Sequence, residues 1–260
     1  MTANLQVEHS GPFVLAKGLE IPGLGRRRKI WAFLPDDYAQ NPTRRYPVIY
    51  FQDGQNIFEP WKTPFGQSWE VHHTMRRLSM EGIAPAILIG IEHGGKRRVK
   101  EFQPLKRNGE FAPEGNAYAD FLANKLKPFV DQKLRTLPDR AQHTLVGSSM
   151  GGLIALYAGM KHQDVFGQLG IFSPSLWAAP ALFPLIRKVG RHYPMKIYLT
   201  AGKEEGAYTV RQTESMHKTL LSSGFPQNDL YLGIREKGKH EENFWRAEFE
   251  TFYRWITEDY

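Results

Sequence analysis

The chain has 260 residues, of which 41% are hydrophobic, and this size fits one large α/β domain or two small ones around a sizeable core. Its 34 basic and 27 acidic residues give a formal net charge of +7. The absence of cysteine excludes disulfides, thiolate metal sites and a cysteine nucleophile.

Short β-rich runs follow one another along the chain. Most are nearly continuous apolar stretches, as in strands that are buried on both faces of a parallel sheet. The runs are KIWAFLP from Lys29, YPVIYFQ from Tyr46, PAILIGIEH from Pro85, HTLVG from His143, GQLGIFS from Gly167, MKIYLTAG from Met195 and DLYLGIRE from Asp229.

Between these runs, apolar residues recur at helical spacing. Pro128 is expected to kink or end the first helix, and Gly224 is expected to stop the third. The four stripes are Tyr118, Phe121, Leu122, Leu126 and Phe129; Leu153, Ile154, Leu156, Tyr157 and Met160; Val210, Met216, Leu220 and Leu221; and Phe244, Trp245, Phe249, Phe252 and Ile256.

The alternation of strands and helices predicts a central, mostly parallel, twisted sheet with helices on both faces. No repeat divides the chain, and no linker is rich enough in Pro, Gly or Ser to do so. We therefore expect one domain over residues 1–260, with residues 1–25 as an N-terminal extension or an edge strand.

A G-x-S-x-G motif lies where a predicted strand meets a predicted helix, in the segment Gly147-Ser148-Ser149-Met150-Gly151. This context is typical of a nucleophile elbow, in which a sharp turn exposes the central serine. Small residues two positions before and after Ser149 would prevent collisions with the strand and the helix. The Met150 N–H, at the start of the helix, would face the oxyanion formed when Ser149 attacks a carbonyl.

A serine nucleophile needs a base, and this class of fold places an acid and then a histidine after the serine. His240 follows the last predicted strand, so we interpret it as the base. We interpret the remaining later histidines, His162, His192 and His217, as surface residues. Glu204 or Glu205, after the strand MKIYLTAG, would orient the imidazole, and their spacing does not separate them.

The second oxyanion donor is expected in a loop after an earlier strand. The segment Asp53-Gly54-Gln55-Asn56 follows such a strand, and Gln55 or Asn56 would present the amide. A rival segment, His93-Gly94-Gly95, follows the next strand and ranks lower.

Together these segments resemble the Putative esterase family of α/β-hydrolases, which includes enterochelin-esterase-like enzymes, esterase D, feruloyl esterase domains and mycolyltransferases. The resemblance spans about Arg26 to Trp255. It is carried by YFQDGQNIF, by ILIGIEHGGKRRVKEFQP, by GSSMGGLIALY, by FSPSLW, by AGKEE and by GKHEENFWR. Lys125 stands where this family would have Glu, and Ala178 replaces a frequent second tryptophan.

The resemblance implies an α/β-hydrolase fold with Ser149 as nucleophile, His240 as base and Glu205 as acid, at a position that is often Asp. From the elbow and the earlier loop, Met150 and Gln55 are the residues expected to bind the oxyanion, with Asn56 as the alternative second donor. Residues expected to contact the substrate are Asp53, Arg98, Ser175 and Trp177. The implied activity is hydrolysis of a small-molecule carboxylic ester through an acyl-enzyme, without a cofactor or metal.

The substrate remains open among siderophore, feruloyl or other aryl, and sugar esters. The positive charge and Arg98 would suit an anionic acyl group. An acyltransferase with the same triad is an alternative function, and so is a non-catalytic binding module on a hydrolase scaffold.

Features that would indicate other partners are missing from the sequence. No window approaches about 18 uncharged apolar residues, so we expect no membrane partner. The N-terminal stretch has no basic segment followed by an apolar core, so we recognise no secretory signal and expect a cytoplasmic protein. The basic runs, such as Arg26–Arg28, are scattered and typical of solvated faces, so no nucleic-acid partner is expected.

Overall fold

The computed structural model describes residues 11–58, 66–106 and 112–258. Eight strands form one sheet in the order β1-β2-β4-β3-β5-β6-β7-β8. The first two pairings in that order are antiparallel and all the others are parallel. The strands are β1 Phe13–Ile21, β2 Arg26–Phe33, β3 Val48–Phe51, β4 Ile87–Ile91, β5 His143–Ser148, β6 Gln168–Phe172, β7 Lys196–Gly202 and β8 Leu230–Arg235.

Eight α-helices connect and cover these strands in the described part of the chain. They are α1 Val71–Met80, α2 Arg98–Phe102, α3 Gly115–Phe121, α4 Lys127–Lys133, α5 Met150–Lys161, α6 Leu182–Val189, α7 Ala207–Ser222 and α8 Glu242–Thr257. None of the described helices has the length and apolar character needed to cross a membrane.

Side chains of the central strands alternate between two apolar layers. In β3, Val48 and Tyr50 join the layer that also holds α3 to α7, whereas Ile49 and Phe51 join the layer under α1 and α8. The alternation follows from strand geometry, in which successive side chains point to opposite faces. The sheet is thus covered by helices on both faces, as the sequence predicted.

The N-terminal strand β1, Phe13–Ile21, lies at the edge of the sheet and pairs with β2 alone among the described strands. Residues 1–10 of the expected extension lie outside the described residues. Their place in the expected domain of residues 1–260 therefore stays a prediction.

Of the two outcomes expected at Pro128, a kink or an end of the helix, the structure excludes the end. A π-helical turn over Leu122–Leu126 joins α3 to α4, and Pro128 then occupies the second position of α4. A proline is tolerated there because it follows a turn in which the regular hydrogen-bond pattern is already interrupted. The helical segment consequently runs from Gly115 to Lys133.

Candidate active site

The carboxyl ends of six neighbouring strands, β3 to β8, lie along one edge of the sheet, where open α/β sheets bind their ligands. A cavity of about 530 Å³ opens at this edge, and we call it the serine cavity. Its described lining residues are Asp53, Asn56, Gln67, His93, Arg98, Ser148, Ser149, His240, Glu241, Glu242 and Trp245.

Ser149 lies in a strained turn between β5 and α5. Its backbone angles are φ 56° and ψ −126°, which are costly for any residue other than glycine. The turn is held because the Ser149 N–H donates to the Phe172 carbonyl at 3.0 Å, while the Ser149 carbonyl accepts from Ser175 N at 3.0 Å. The neighbouring loops therefore impose the conformation that exposes the hydroxyl.

The glycines around Ser149 are required by backbone crowding. A Cβ on Gly147 would lie 2.3 Å from the carbonyl oxygen of Gly151. A Cβ on Gly151 would lie 2.8 Å from Oδ2 of Asp53. The structure thus gives the physical reason for small residues on both sides of the serine, since strand, helix and the loop after β3 all meet there.

His240 and Glu205 form a close pair beside Ser149. The Nδ1 atom of His240 lies 2.7 Å from Oε2 of Glu205, whose side chain is only 1% exposed. The other oxygen, Oε1, accepts from Ser173 Oγ and from Gly202 N, both at 2.7 Å. Because both carboxylate oxygens make hydrogen bonds, Glu205 fixes the orientation of the His240 ring. The Nε2 atom of that ring is then available to other groups.

Two further contacts hold the loops that carry this pair. A Cβ on Gly202 would lie 2.0 Å from the Gly238 carbonyl oxygen, so the loops after β7 and β8 touch backbone to backbone. Trp245 Nε1 donates to Ser173 Oγ at 2.9 Å, and its ring meets the His240 ring edge-on at 5.1 Å. Ser173 and Trp245 were not among the predicted site residues, although the segments FSPSLW and GKHEENFWR contain them.

The other candidate acid, Glu204, is half exposed and lies 3.9 Å from Lys239 Nζ. It is not among the described residues of the cavity. The structure therefore places Glu205, and not Glu204, against His240.

The remaining later histidines lie away from the serine cavity. His217 is buried in α7, and His162 pairs with Asp120 at 2.9 Å. The expectation of a surface residue is therefore wrong for His217, whereas His192 is exposed and His162 is partly exposed beside Asp120.

The hydroxyl of Ser149 bonds to a second serine. Ser149 Oγ lies 3.2 Å from Ser175 Oγ, and within the described residues its hydrogen bond goes there and not to His240. Ser175 is buried, and Trp177, two residues later, is 51% exposed outside the described lining of the cavity.

The two predicted oxyanion donors occupy different positions. Met150 is the first residue of α5, and the amide of a first helical residue has no acceptor within its helix. Gln55 lies in a single helical turn after β3, where its side-chain Oε1 accepts from His93 N at 3.3 Å. His93, from the rival segment, lines the cavity, and burial lowers the pKa of its imidazole.

Asp53 and Arg98 form a two-pronged ion pair on the cavity wall. Arg98 Nε donates to Asp53 Oδ1 at 2.6 Å, and Nη2 donates to Oδ2 at 2.8 Å. Asp53 has the left-handed backbone conformation (φ 54°) and is almost fully buried. The sequence placed both residues at the site but did not predict that they pair.

Glu242 is a cavity residue that the sequence analysis missed. It is the first residue of α8, and its Oε1 accepts from Asn56 Nδ2 at 3.2 Å. Burial, together with the charge of Asp53, raises the pKa of the Glu242 carboxyl. Its position in HEENF, directly after the candidate base, was the available signal.

No group of three or more His, Cys, Asp or Glu side chains able to hold a metal ion is found among residues 11–58, 66–106 and 112–258.

The sheet order, the flanking helices and the serine turn define an α/β-hydrolase fold. Residues 21–256 match the Putative esterase family, and the chain belongs to this family.

The uncharacterized protein YbbA of Bacillus subtilis (strain 168) is 22% identical over 88% of this chain and 92% of its own. The ferri-bacillibactin esterase BesA of the same organism is 27% identical over 70% of this chain and 68% of its own. The solved structure of an IroE-like serine hydrolase from Shewanella oneidensis superposes with a TM-score of 0.76 at 21% identity, covering 95% of this chain and 81% of that one. The chain spans about half the length of the enterobactin and salmochelin esterases that it also matches.

Proposed function

We propose that this protein is a serine carboxylic ester hydrolase that works through an acyl-enzyme. The observation that carries the proposal is the shared cavity of two groups: a serine hydroxyl on a strained turn, and an imidazole whose Nδ1 is held by a buried carboxylate. Membership of the esterase family supports the same reaction class.

In the proposed first half-reaction, Ser149 Oγ attacks the ester carbonyl carbon while His240 Nε2 takes the hydroxyl proton. Glu205 accepts a hydrogen bond from the Nδ1–H group of His240 and stabilises the imidazolium that forms. The negative charge on the carbonyl oxygen faces the N–H of Met150 and, as the second donor, that of Gln55. The intermediate then expels the alcohol, which receives its proton from His240, and the acyl group stays on Ser149.

In the second half-reaction, His240 takes a proton from water, and the resulting hydroxide attacks the acyl carbon. The carboxylic acid leaves, and the proton returns from His240 to Ser149 Oγ. Every proton is accounted for by this chain's own groups and by water.

The Ser149–Ser175 contact gives the resting arrangement a specific interpretation. Since Ser149 Oγ bonds to Ser175 Oγ at 3.2 Å, rotation about its Cα–Cβ bond toward His240 is the step that activates it. Catalytic hydrogen bonds are often long or misaligned without substrate and tighten in the complex. Ser175 is then free to bond to the substrate, as expected from the sequence.

Reaction with a fluorophosphonate probe, followed by mapping of the labelled peptide, tests the nucleophile. We expect the label on Ser149, loss of the label in Ser149→Ala, and a label that persists in Ser148→Ala, which removes the neighbouring hydroxyl. A label on Ser148, or none on a folded protein, would overturn the proposal and favour a binding module.

Ester turnover supplies the second test. Ser149→Ala should lose at least about 10³-fold in kcat/KM, because removal of a triad member leaves only binding and oxyanion stabilisation. If an added alcohol raised acyl release from labelled substrate, acyl transfer rather than hydrolysis would be the activity of the same site.

A further inference from the structure

The described wall of the serine cavity is acidic, although the chain as a whole is basic. Three carboxylates line it, from Asp53, Glu241 and Glu242, against the single guanidinium of Arg98. With both lining histidines neutral, these residues carry two net negative charges, whereas the whole chain has a formal charge of +7. The charge that a bound substrate meets therefore has the opposite sign to the charge that it meets on approach.

The charge of Arg98 is already balanced inside the protein. Two of its donors are bound to the two oxygens of Asp53, at 2.6 and 2.8 Å, in the planar arrangement that makes such pairs strong. Its guanidinium also lies 5.2 Å from the ring centre of Phe102. The expectation that Arg98 would attract an anionic acyl group is therefore not supported, since a substrate anion would compete with Asp53.

The carboxylate of Glu242 lacks such a partner. Its side-chain hydrogen bond comes from the uncharged amide of Asn56, at 3.2 Å. Within the described residues, no lysine or arginine nitrogen lies within 4.0 Å of it, and the charges of Asp53, His240 and, from farther away, Arg98 act on it. The N-terminus of α8 acts on this carboxylate like about half a positive elementary charge, which stabilises the ionised form but does not cancel its full negative charge.

We propose that Glu242 makes this site selective for esters that are uncharged or cationic beside it, against anionic esters of the same shape. This inference rests on the proposed ester hydrolysis and names its substrate class. Hydroxyl or amide groups of a substrate would donate hydrogen bonds to the Glu242 carboxylate. A carboxylate or a ferric catecholate at the same position would be repelled.

The size of the effect follows from Coulomb's law. Two like charges about 7 Å apart, at an effective dielectric constant of about 20 to 40, change an equilibrium constant by about 7-fold to 60-fold. We therefore expect discrimination of about 7-fold or more for each substrate charge that lies beside Glu242.

Two pairs of rigid aryl esters provide the test, each pair differing in one group. On the alcohol side, 3-acetoxybenzoate is compared with 3-acetoxybenzamide; on the acyl side, phenyl 4-carboxybenzoate is compared with phenyl 4-carbamoylbenzoate. The readout is the ratio of kcat/KM, amide over carboxylate, normalised to the rates of hydrolysis by hydroxide. We expect a ratio of about seven or more in the pair whose charge lies beside Glu242.

Variants assign this ratio to one residue. Glu242→Gln, which has the same shape, should lower the ratio about 7-fold or more. Glu236→Gln removes the same charge from an exposed carboxylate, 79% exposed and paired with Lys203, and should leave the ratio unchanged. A wild-type ratio near one in both pairs, or a ratio that Glu242→Gln does not lower, would overturn the inference.

Failure of the proposed function would look different. If none of the four esters is hydrolysed and Ser149 resists the fluorophosphonate, the esterase assignment itself fails. If Ser149 is labelled but turnover is too slow to measure, the four compounds are compared by how well each protects Ser149 from the label. The ratio of affinities, amide over carboxylate, then replaces the ratio of kcat/KM. Equal protection by carboxylate and amide would then refute the selectivity.

Discussion

The substitution Glu205→Gln tests the acid of the proposed triad with little change of shape. Glu205 Oε1 accepts from Ser173 Oγ and Gly202 N, and a glutamine carbonyl oxygen at that position keeps both bonds. The amide NH₂ then faces His240 Nδ1 in place of a carboxylate oxygen that lies 2.7 Å away. Because NH₂ only donates, Nδ1 has to accept, and the ring proton moves to Nε2.

A proton on Nε2 removes the lone pair that would take the proton of Ser149. The imidazolium also loses the carboxylate that would balance its charge. Loss of the correct tautomer in a Ser-His-acid site costs about 10⁴ in kcat, so we expect Glu205→Gln to lose about 10³ to 10⁴ in kcat. We expect KM to change little, because the side chain is buried behind His240 and its exposed fraction is 1%.

The assay is steady-state hydrolysis of a neutral aryl acetate over a range of pH, with the melting temperature measured in parallel. Glu204→Gln is the matched control: it removes a carboxylate one residue away, half exposed and 3.9 Å from Lys239, and should retain near-wild-type kcat. If Glu205→Gln stays folded and keeps more than about a tenth of kcat, or if Glu204→Gln causes the larger loss, the assignment of Glu205 is wrong.

Two predictions concern stability. Gly147→Ala would place a Cβ 2.3 Å from the Gly151 carbonyl oxygen, and we expect chemical denaturation to show a loss of about 2 kcal/mol or more, against about 0.5 kcal/mol or less for Gly18→Ala, whose nearest neighbour is the flexible Arg27 side chain. The hydrogen bond from Arg26 lowers the pKa of Glu114 from 4.5 to about 2, so its stabilising effect is full above about pH 4.5 and is lost as the pH falls through about 2. The unfolding free energy of wild type should therefore fall more steeply over this range than that of Glu114→Gln, and parallel curves would contradict the role of this pair.

The central sheet was predictable because its strands are buried on both faces and therefore read as continuous apolar runs. The sequence left residues 1–25 as an extension or an edge strand, because β1 has no continuous apolar run: only its Leu19 and Ile21 are buried, and its register against β2 shifts twice. Helix α1 was missed. Two histidines and two arginines interrupt its short apolar stripe, although His72 is in fact buried with that stripe.

The site was predictable where chemistry dictates a local pattern. The glycines around Ser149 reflect the collisions that any side chain would cause there. His240 was identified from its place after the last strand, but the choice between Glu204 and Glu205 depends on which carboxylate points inward after β7. That orientation is set by Ser173 and by the contact of Gly202 with Gly238, which are brought together only by the folded sheet.

Charge was the least predictable property, since a formal sum does not say which charges pair. The basic run that begins β2 is not a solvated face throughout: Arg28 is buried against Glu101, and Arg26 binds both Glu101 and Glu114. These pairs fix α2 and α3 against the sheet. They leave the positive excess on other surfaces of the chain.

The same reasoning separates two steps of substrate selection. The positive surface field attracts anions over a distance of about 8 Å at physiological salt, and so affects the rate of encounter. That field does not decide binding, because a substrate in the cavity lies within a few ångströms of the cavity's own carboxylates. There the charge of Glu242 acts in a medium less polarisable than water. An anionic ester would therefore approach readily and bind poorly, and added salt would slow its encounter while also weakening its exclusion. Selectivity is therefore measured as a function of ionic strength in the wild type and in Glu242→Gln. The salt-dependent discrimination that persists in Glu242→Gln comes from the surface field, and the part that is lost comes from Glu242.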